Sequence, residues 1–119
     1  MNIIETVTID GVVNYAQQPL LFSAPQNARE RKIIESITRA IEDIKAYQSK
    51  MREKYPNPMT PMIIPTTETF FIDERYARIP MSASIIEKRA FVRKLNTLEN
   101  VIRNPKTMRL IINPVSNNS

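Results

Sequence analysis

The sequence predicts an α+β fold, and three features of the chain lead to this prediction. β-branched residues cluster near the N-terminus, two stretches carry apolar residues at helical spacing, and prolines punctuate the segment between those stretches. The predicted order is an N-terminal β-hairpin, a long amphipathic helix, an extended Pro-rich segment with a short strand, a second amphipathic helix and a C-terminal strand. A small antiparallel or mixed sheet is expected to pack on the helix pair.

Length and composition favour one folded domain. The chain has 119 residues, of which 42% are hydrophobic and 24% charged, so we expect a single α+β domain over residues 1–115 and a polar flexible tail over residues 116–119. No apolar run approaches the roughly 20 residues that span a bilayer, so no membrane partner is expected. Because no secretory signal is recognisable, we expect an intracellular (cytoplasmic) protein or one within an assembly formed in the cell.

The N-terminal residues predict the hairpin. In residues 3–9, Val7 and Ile9 alternate with polar residues, as in a half-buried strand. Asp10-Gly11 then provides a two-residue turn of type I′, which needs positive φ angles, and residues 12–15 are expected to pair back. Gly11 is the only glycine in the chain.

The long helix is predicted over about residues 26–55. Asn27 and Glu30 have the spacing of a capping pair, and Pro56 ends the helix. An apolar seam with 3-4 spacing, interrupted by Gln48, runs along it. This seam is compatible with packing on a core and also with an intermolecular coiled coil. The candidate oligomer or partner interface comprises Ile34, Ile37, Ile41, Ile44, Met51 and Tyr55.

Residues 56–81 contain five prolines and a predicted strand at 69–72. Three carboxylates lie in or next to this segment, on Glu68, Asp73 and Glu74. Their spacing matches no metal-binding loop, and Arg75 and Arg78 lie close in sequence. We therefore interpret them as a surface turn paired with arginines, and we expect no metal and no cofactor.

A second helix is predicted over about residues 85–103, followed by a strand over 108–112. Ser84 and Glu87 form a capping box, and Asn104-Pro105 ends the helix. Residues 82–119 carry a net charge of +5. One helix face and the residues just after it form a basic surface that suits phosphate groups. These candidate nucleic-acid-binding residues are Arg89, Arg93, Asn96, Asn100, Arg103, Lys106 and Arg109.

The chain contains no His and no Cys, which argues against histidine acid–base catalysis and thiol chemistry. We expect no catalytic residues. The predicted function is that of a small non-enzymatic protein-interaction protein, acting as an oligomeric subunit, adaptor or assembly factor, either as a homo-oligomer or within a larger protein assembly. The alternative is binding of DNA or RNA through the basic face of the second helix.

Overall fold

The computed structural model describes residues 5–62 and 70–112, which form an α+β fold as predicted. Two long helices and small antiparallel sheets pack around one hydrophobic core. The helices are α1 (Ala28–Lys54), α2 (Ile85–Arg103) and the short α3 (Pro105–Met108), with a 3-10 turn at Glu74–Tyr76. The strands are β1 (Thr6–Thr8), β2 (Val13–Tyr15), β3 (Gln18–Pro19), β4 (Leu21–Ser23), β5 (Met59–Pro61), β6 (Phe70–Ile72) and β7 (Arg78–Pro80).

The two long helices lie within two residues of their predicted ends and run antiparallel. Asn27 caps α1 by accepting a hydrogen bond from the Glu30 amide, and Ser84 and Glu87 form the predicted capping box of α2. Lys54 at the end of α1 lies 2.9 Å from Glu87 in the first turn of α2, and Lys94 of α2 lies 3.8 Å from Asp43 near the middle of α1. The end of α1 therefore meets the start of α2, and the start of α1 faces the end of α2.

The chain forms an N-terminal hairpin, but the predicted pairing of residues 3–9 with residues 12–15 around an Asp10-Gly11 turn is wrong. β1 pairs with β4, with Val7 opposite Phe22, whereas β2 pairs with β3 and β6. Gly11 has no positive φ; within residues 5–62 and 70–112, the residues with positive φ are Ala16 and Gln17, in the two-residue turn between β2 and β3. The physical reason is burial: Val12 and Val13 are both in the core, so the chain enters the interior after Asp10-Gly11 and does not fold back on β1.

The predicted C-terminal strand is also wrong over part of its length. Asn104 caps the helical turn α3, which includes Met108. Pro at the first position of a helix has no amide that needs a partner, so Asn104-Pro105 ends α2 and also starts a new helix. Beyond α3 the chain is extended: Ile111 forms an antiparallel bridge with Phe22, and the Ile112 amide donates to the Leu21 carbonyl at 2.9 Å. The predicted tail at 116–119 lies outside the described residues.

The Pro-rich segment is held against α1. The predicted strand at 69–72 is confirmed over Phe70–Ile72, which pairs with β2, and β5 pairs with β7. The buried side chain of Gln48 donates from Nε2 to the carbonyls of Arg75 and Arg78, each at 2.7 Å. The one polar residue of the α1 seam therefore hydrogen-bonds the backbone that crosses it, which satisfies the rule that buried polar groups have partners.

Candidate functional site

The apolar seam of α1 is part of the protein's own core. Four members of the candidate interface, Ile37, Ile41, Ile44 and Met51, are buried, and Ile34 and Tyr55 are half-buried. The seam matches the core-packing interpretation. It leaves no continuous apolar strip on α1 for an intermolecular coiled coil, because the side chains that would form one pack against α2 and the sheets.

All seven residues of the predicted basic face are exposed, and the structure divides them into two groups. Five lie on α2, where Arg103 pairs with Glu99 at 3.2 Å. The other two, Lys106 and Arg109, lie in and just after α3, where the chain turns toward the start of α1. The five α2 residues therefore form a strip along the helix, and the last two belong to a different surface.

The pairing of the C-terminal segment with β4 explains where Lys106 and Arg109 lie. The Ser23 amide donates to the Leu110 carbonyl at 2.8 Å, which fixes the residues after α3 beside β4. β4 ends at Ser23, and α1 begins only a few residues later. This arrangement brings α3 to the first turns of α1.

Two adjoining cavities, of about 530 and 590 Å³, open between the first turns of α1 and the α3 segment. Ala28, Arg29, Ile33 and Lys106 line both of them. We call this surface the cationic cleft and define it by its four basic side chains, Arg29, Lys32, Lys106 and Arg109. Sizes of this order are typical of ligand-binding clefts.

None of the four cleft cations forms an ion pair with any carboxylate in residues 5–62 or 70–112. Glu30 also lines the second cavity, but its carboxylate accepts hydrogen bonds from the Gln26 amide and the Asn27 side chain. That carboxylate is committed to the start of α1. The cleft therefore carries four cations against one carboxylate, and the amino end of the α1 dipole adds to this excess of positive charge.

The sequence prediction included Lys106 and Arg109 but missed Arg29 and Lys32. The signal available was the basic cluster Arg29, Arg31 and Lys32 in the first turns of the predicted helix. Nothing local links that cluster to residues 106–109, because their proximity depends on the antiparallel packing of the helices and on the pairing with β4.

The opposite end of the helix pair has a different character. Met81, Ile85 and Ile86 are 54%, 67% and 77% exposed, and they occupy the loop before α2 and its first turn. Lys88 donates from Nζ to the Met81 carbonyl at 2.9 Å, which holds that loop beside the helix. We call Met81, Ile85 and Ile86 the apolar end.

The charged groups next to the apolar end form hydrogen bonds with one another and with neighbouring groups of the protein. The Glu87 carboxylate accepts hydrogen bonds from the Tyr55 hydroxyl, from Lys54 Nζ at 2.9 Å and from the Ser84 amide at 2.9 Å. The hydrogen bond from Tyr55, followed by that from Lys54, lowers the pKa of Glu87 to about 2. This network ties the last turn of α1 to the first turn of α2.

The acidic turn pairs with arginines, as predicted, where the structure describes it. Arg75 Nε lies 3.0 Å from Asp73, and Arg78 lies 3.6 Å from Glu74. The hydrogen bonds from Arg75 lower the pKa of Asp73. Glu68 lies outside the described residues. Within 5–62 and 70–112, no group of three or more acidic side chains is arranged to hold a metal ion.

The chain matches no protein family model, and neither the curated proteins nor the solved structures contain a significant match to it. In the described part of the chain, no helix combines the length and apolar character required to traverse a bilayer.

Proposed function

We propose that this protein is a non-enzymatic binding protein whose ligand is a nucleic acid, held by its phosphates in the cationic cleft. One observation carries the proposal: four basic side chains from two separate parts of the chain converge on one cleft without a carboxylate partner in the described residues. Surface cations of folded proteins often pair with neighbouring acids, as Lys45 does with Asp10. Cations left unpaired in a concave site suit a ligand that brings several negative charges.

The exposed strip of α2 is a second basic surface, and its last member, Arg103, directly precedes Asn104 of the cleft lining. Arg89, Arg93 and Arg103 recur at helical spacing, and Asn96 and Asn100 lie between them. From Arg89 to Arg103 the helix rises about 21 Å, so a strand bound in the cleft and continuing along α2 would meet several further donors. Amide and guanidinium groups both donate hydrogen bonds to phosphate oxygens. We expect binding without turnover, inside the cell.

The deciding experiment measures affinity against salt for the wild type and two matched variants. The cleft variant carries Arg29→Gln and Lys106→Gln; the control carries Arg39→Gln and Lys50→Gln, which neutralise two exposed cations of α1 that do not line the cavities. Both variants have the same net charge. Fluorescence anisotropy with labelled single-stranded RNA, single-stranded DNA and duplex DNA of about 20 nucleotides reports the affinity.

The wild type should bind at least one of these oligonucleotides at low salt, and the logarithm of its affinity should fall linearly with the logarithm of salt concentration. Loss of two phosphate contacts should reduce that slope by about 1.4 for a single strand or about 1.8 for a duplex. The control variant should retain nearly the wild-type slope. Equal losses in the two variants, or no binding at low salt, would overturn the proposal.

A third variant, with Arg89→Gln, Arg93→Gln and Arg103→Gln, tests the path along α2. If the ligand continues over this strip, the slope of this variant should be smaller than that of the wild type by up to about 2 to 3. If it stays within the cleft, this variant should bind like the wild type, and the ligand then occupies only the end of the helix pair.

A further inference from the structure

We infer that the apolar end is a docking surface for an acidic, amphipathic segment of another protein. The inference does not depend on the cationic cleft, because Met81, Ile85 and Ile86 line neither of its cavities, although Arg89 and Arg93 also belong to the strip of α2. Single exposed apolar side chains are common on protein surfaces, but three in one loop and helical turn form a patch.

Among the residues described, four large hydrophobic side chains are exposed: the three of the apolar end and Met108. Covering an exposed isoleucine with a partner removes apolar surface from water, which favours association. Nothing in the fold requires isoleucine here, because the capping of α2 is provided by Ser84 and Glu87. The first two helical positions therefore carry apolar side chains that contribute little to the protein's own core.

The charges around the patch indicate the chemistry of the partner. On α2, Ile85 lies four residues before Arg89, and Ile86 lies seven before Arg93, so each isoleucine shares a helix face with an exposed arginine. Glu87 is the only acidic residue in the first three turns of α2, and it is bound to Lys54 and Tyr55. In the last turn of α1, Lys54 is already paired with Glu87, and Arg52 is balanced by Glu53, so the excess of positive charge beside the patch comes from Arg89 and Arg93. A partner with apolar and acidic side chains would match this surface.

A second copy of the chain matches it less well. In a two-fold symmetric dimer through this patch, the same surface of each copy would face the other, so two arginine-bearing surfaces would be brought together. Like charges that face each other across an interface oppose association. Acidic side chains on a different protein would pair with Arg89 and Arg93 while apolar ones cover the isoleucines.

The test uses a panel of synthetic peptides of about 12 residues that combine Leu, Phe or Met with Asp or Glu, in helical and in extended spacing. Each peptide has two matched forms, one with Gln and Asn in place of the acids and one with Ser in place of the apolar residues. Binding is measured by fluorescence anisotropy to the wild type, to Ile85→Ser/Ile86→Ser, and to Met108→Ser, which removes an exposed apolar side chain near the other end.

At least one acidic amphipathic peptide should bind the wild type, and its affinity should fall at least tenfold for Ile85→Ser/Ile86→Ser and for both matched peptides. Met108→Ser should bind like the wild type, and the Ile85→Ser/Ile86→Ser variant should keep its affinity for nucleic acid. The inference is overturned if no peptide of the panel binds the wild type, or if Ile85→Ser/Ile86→Ser binds the peptides as tightly as the wild type does.

Two further measurements address other occupants of the patch. Sedimentation velocity that shows a dimer abolished by Ile85→Ser/Ile86→Ser would assign the patch to a second copy. Flotation with vesicles of phosphatidylcholine and phosphatidylserine, lost in the same variant, would assign it to a membrane surface. Either result would replace the inferred partner.

Discussion

The two ends of the α1–α2 pair use their charged and apolar residues in opposite ways. At the start of α1, apolar Ile33 lies in the wall of the cleft while four cations around it have no acidic partner among the described residues. At the end of α1, Lys54, Tyr55 and Glu87 bind one another, and isoleucines face outward. The start of α1 therefore has cations without an ion-pair partner in the described residues, and the end of α1 lies beside apolar side chains exposed to water.

This difference indicates two ligands of different chemistry on one scaffold. α1 has 27 residues and is about 40 Å long, which is several Debye lengths at physiological salt. A phosphate-rich ligand confined to the cleft would therefore have little electrostatic effect on a protein ligand at the apolar end. If both proposals hold, the protein is an adaptor, which is one of the three non-enzymatic roles predicted from the sequence.

The largest change in stability is predicted for the hydrophobic core, which supports both ends of the helix pair. Replacing Ile44, which is completely buried near the middle of α1, by Asp should destabilise the protein by about 3–5 kcal/mol, because it removes apolar packing and buries a carboxylate. Thermal unfolding followed by circular dichroism measures this. Ser49→Asp on the exposed side of the same helix is the control and should change the free energy of unfolding by less than about 0.5 kcal/mol.

The next prediction concerns the Glu87 network. The pKa of Glu87 is about 2 in the folded protein against 4.5 for the free side chain. A lowered carboxyl pKa stabilises the fold fully above about pH 4.5, and this contribution is lost as the pH falls toward 2. The wild type should therefore lose stability over this range, and Glu87→Gln should show a weaker dependence on pH there.

Tyr55→Phe provides a separate readout of the same network. It removes the hydrogen bond that contributes most to the lowered pKa of Glu87, so the folded-state pKa should move back toward 4.5 and the loss of stability between pH 4.5 and 2 should be smaller than in the wild type. NMR titration of the Glu87 side-chain carboxyl measures the pKa directly. A titration of Glu87 near 4.5 in the wild type would contradict the network.

A smaller effect is expected at the cationic cleft. Because its four cations lie near one another without acidic partners, neutralising two of them by Arg29→Gln and Lys106→Gln should relieve repulsion. The stability should rise by up to about 0.5 kcal/mol at low salt, and the gain should vanish at about 1 M salt, where the Debye length is about 3 Å. A clear loss of stability at low salt would mean that these side chains hold the fold together and are not reserved for a ligand.

The helices were predictable from the sequence because their signals are local. Asn27, Ser84 and the prolines define where each helix begins or ends, and the apolar spacing defines which side is buried. Strand pairing was less predictable. The Asp10-Gly11 turn signal was outweighed by the burial of Val12 and Val13, which depends on partners far away in the sequence.

The candidate sites were likewise predictable only where their signals are local in the sequence. Lys106 and Arg109 were recognised from charge alone, but the cleft they form with Arg29 and Lys32 arises from helix packing and from the bridge between Phe22 and Ile111. The apolar end was equally hidden in the sequence. Ile85 and Ile86 look like ordinary helix residues, and only the orientation of α2 shows that they face outward.

The smallest change in stability is expected at the apolar end. Ile85→Ser/Ile86→Ser should leave the free energy of unfolding within about 0.5 kcal/mol of the wild type, because both side chains are mostly exposed and serine has nearly the same helix propensity as isoleucine. Chemical denaturation measures this, with Met108→Ser as the comparison. If the double variant lost several kcal/mol, the isoleucines would be part of the core, and their exposure would not identify a docking surface. An unchanged stability would instead leave binding as the property that these two residues serve.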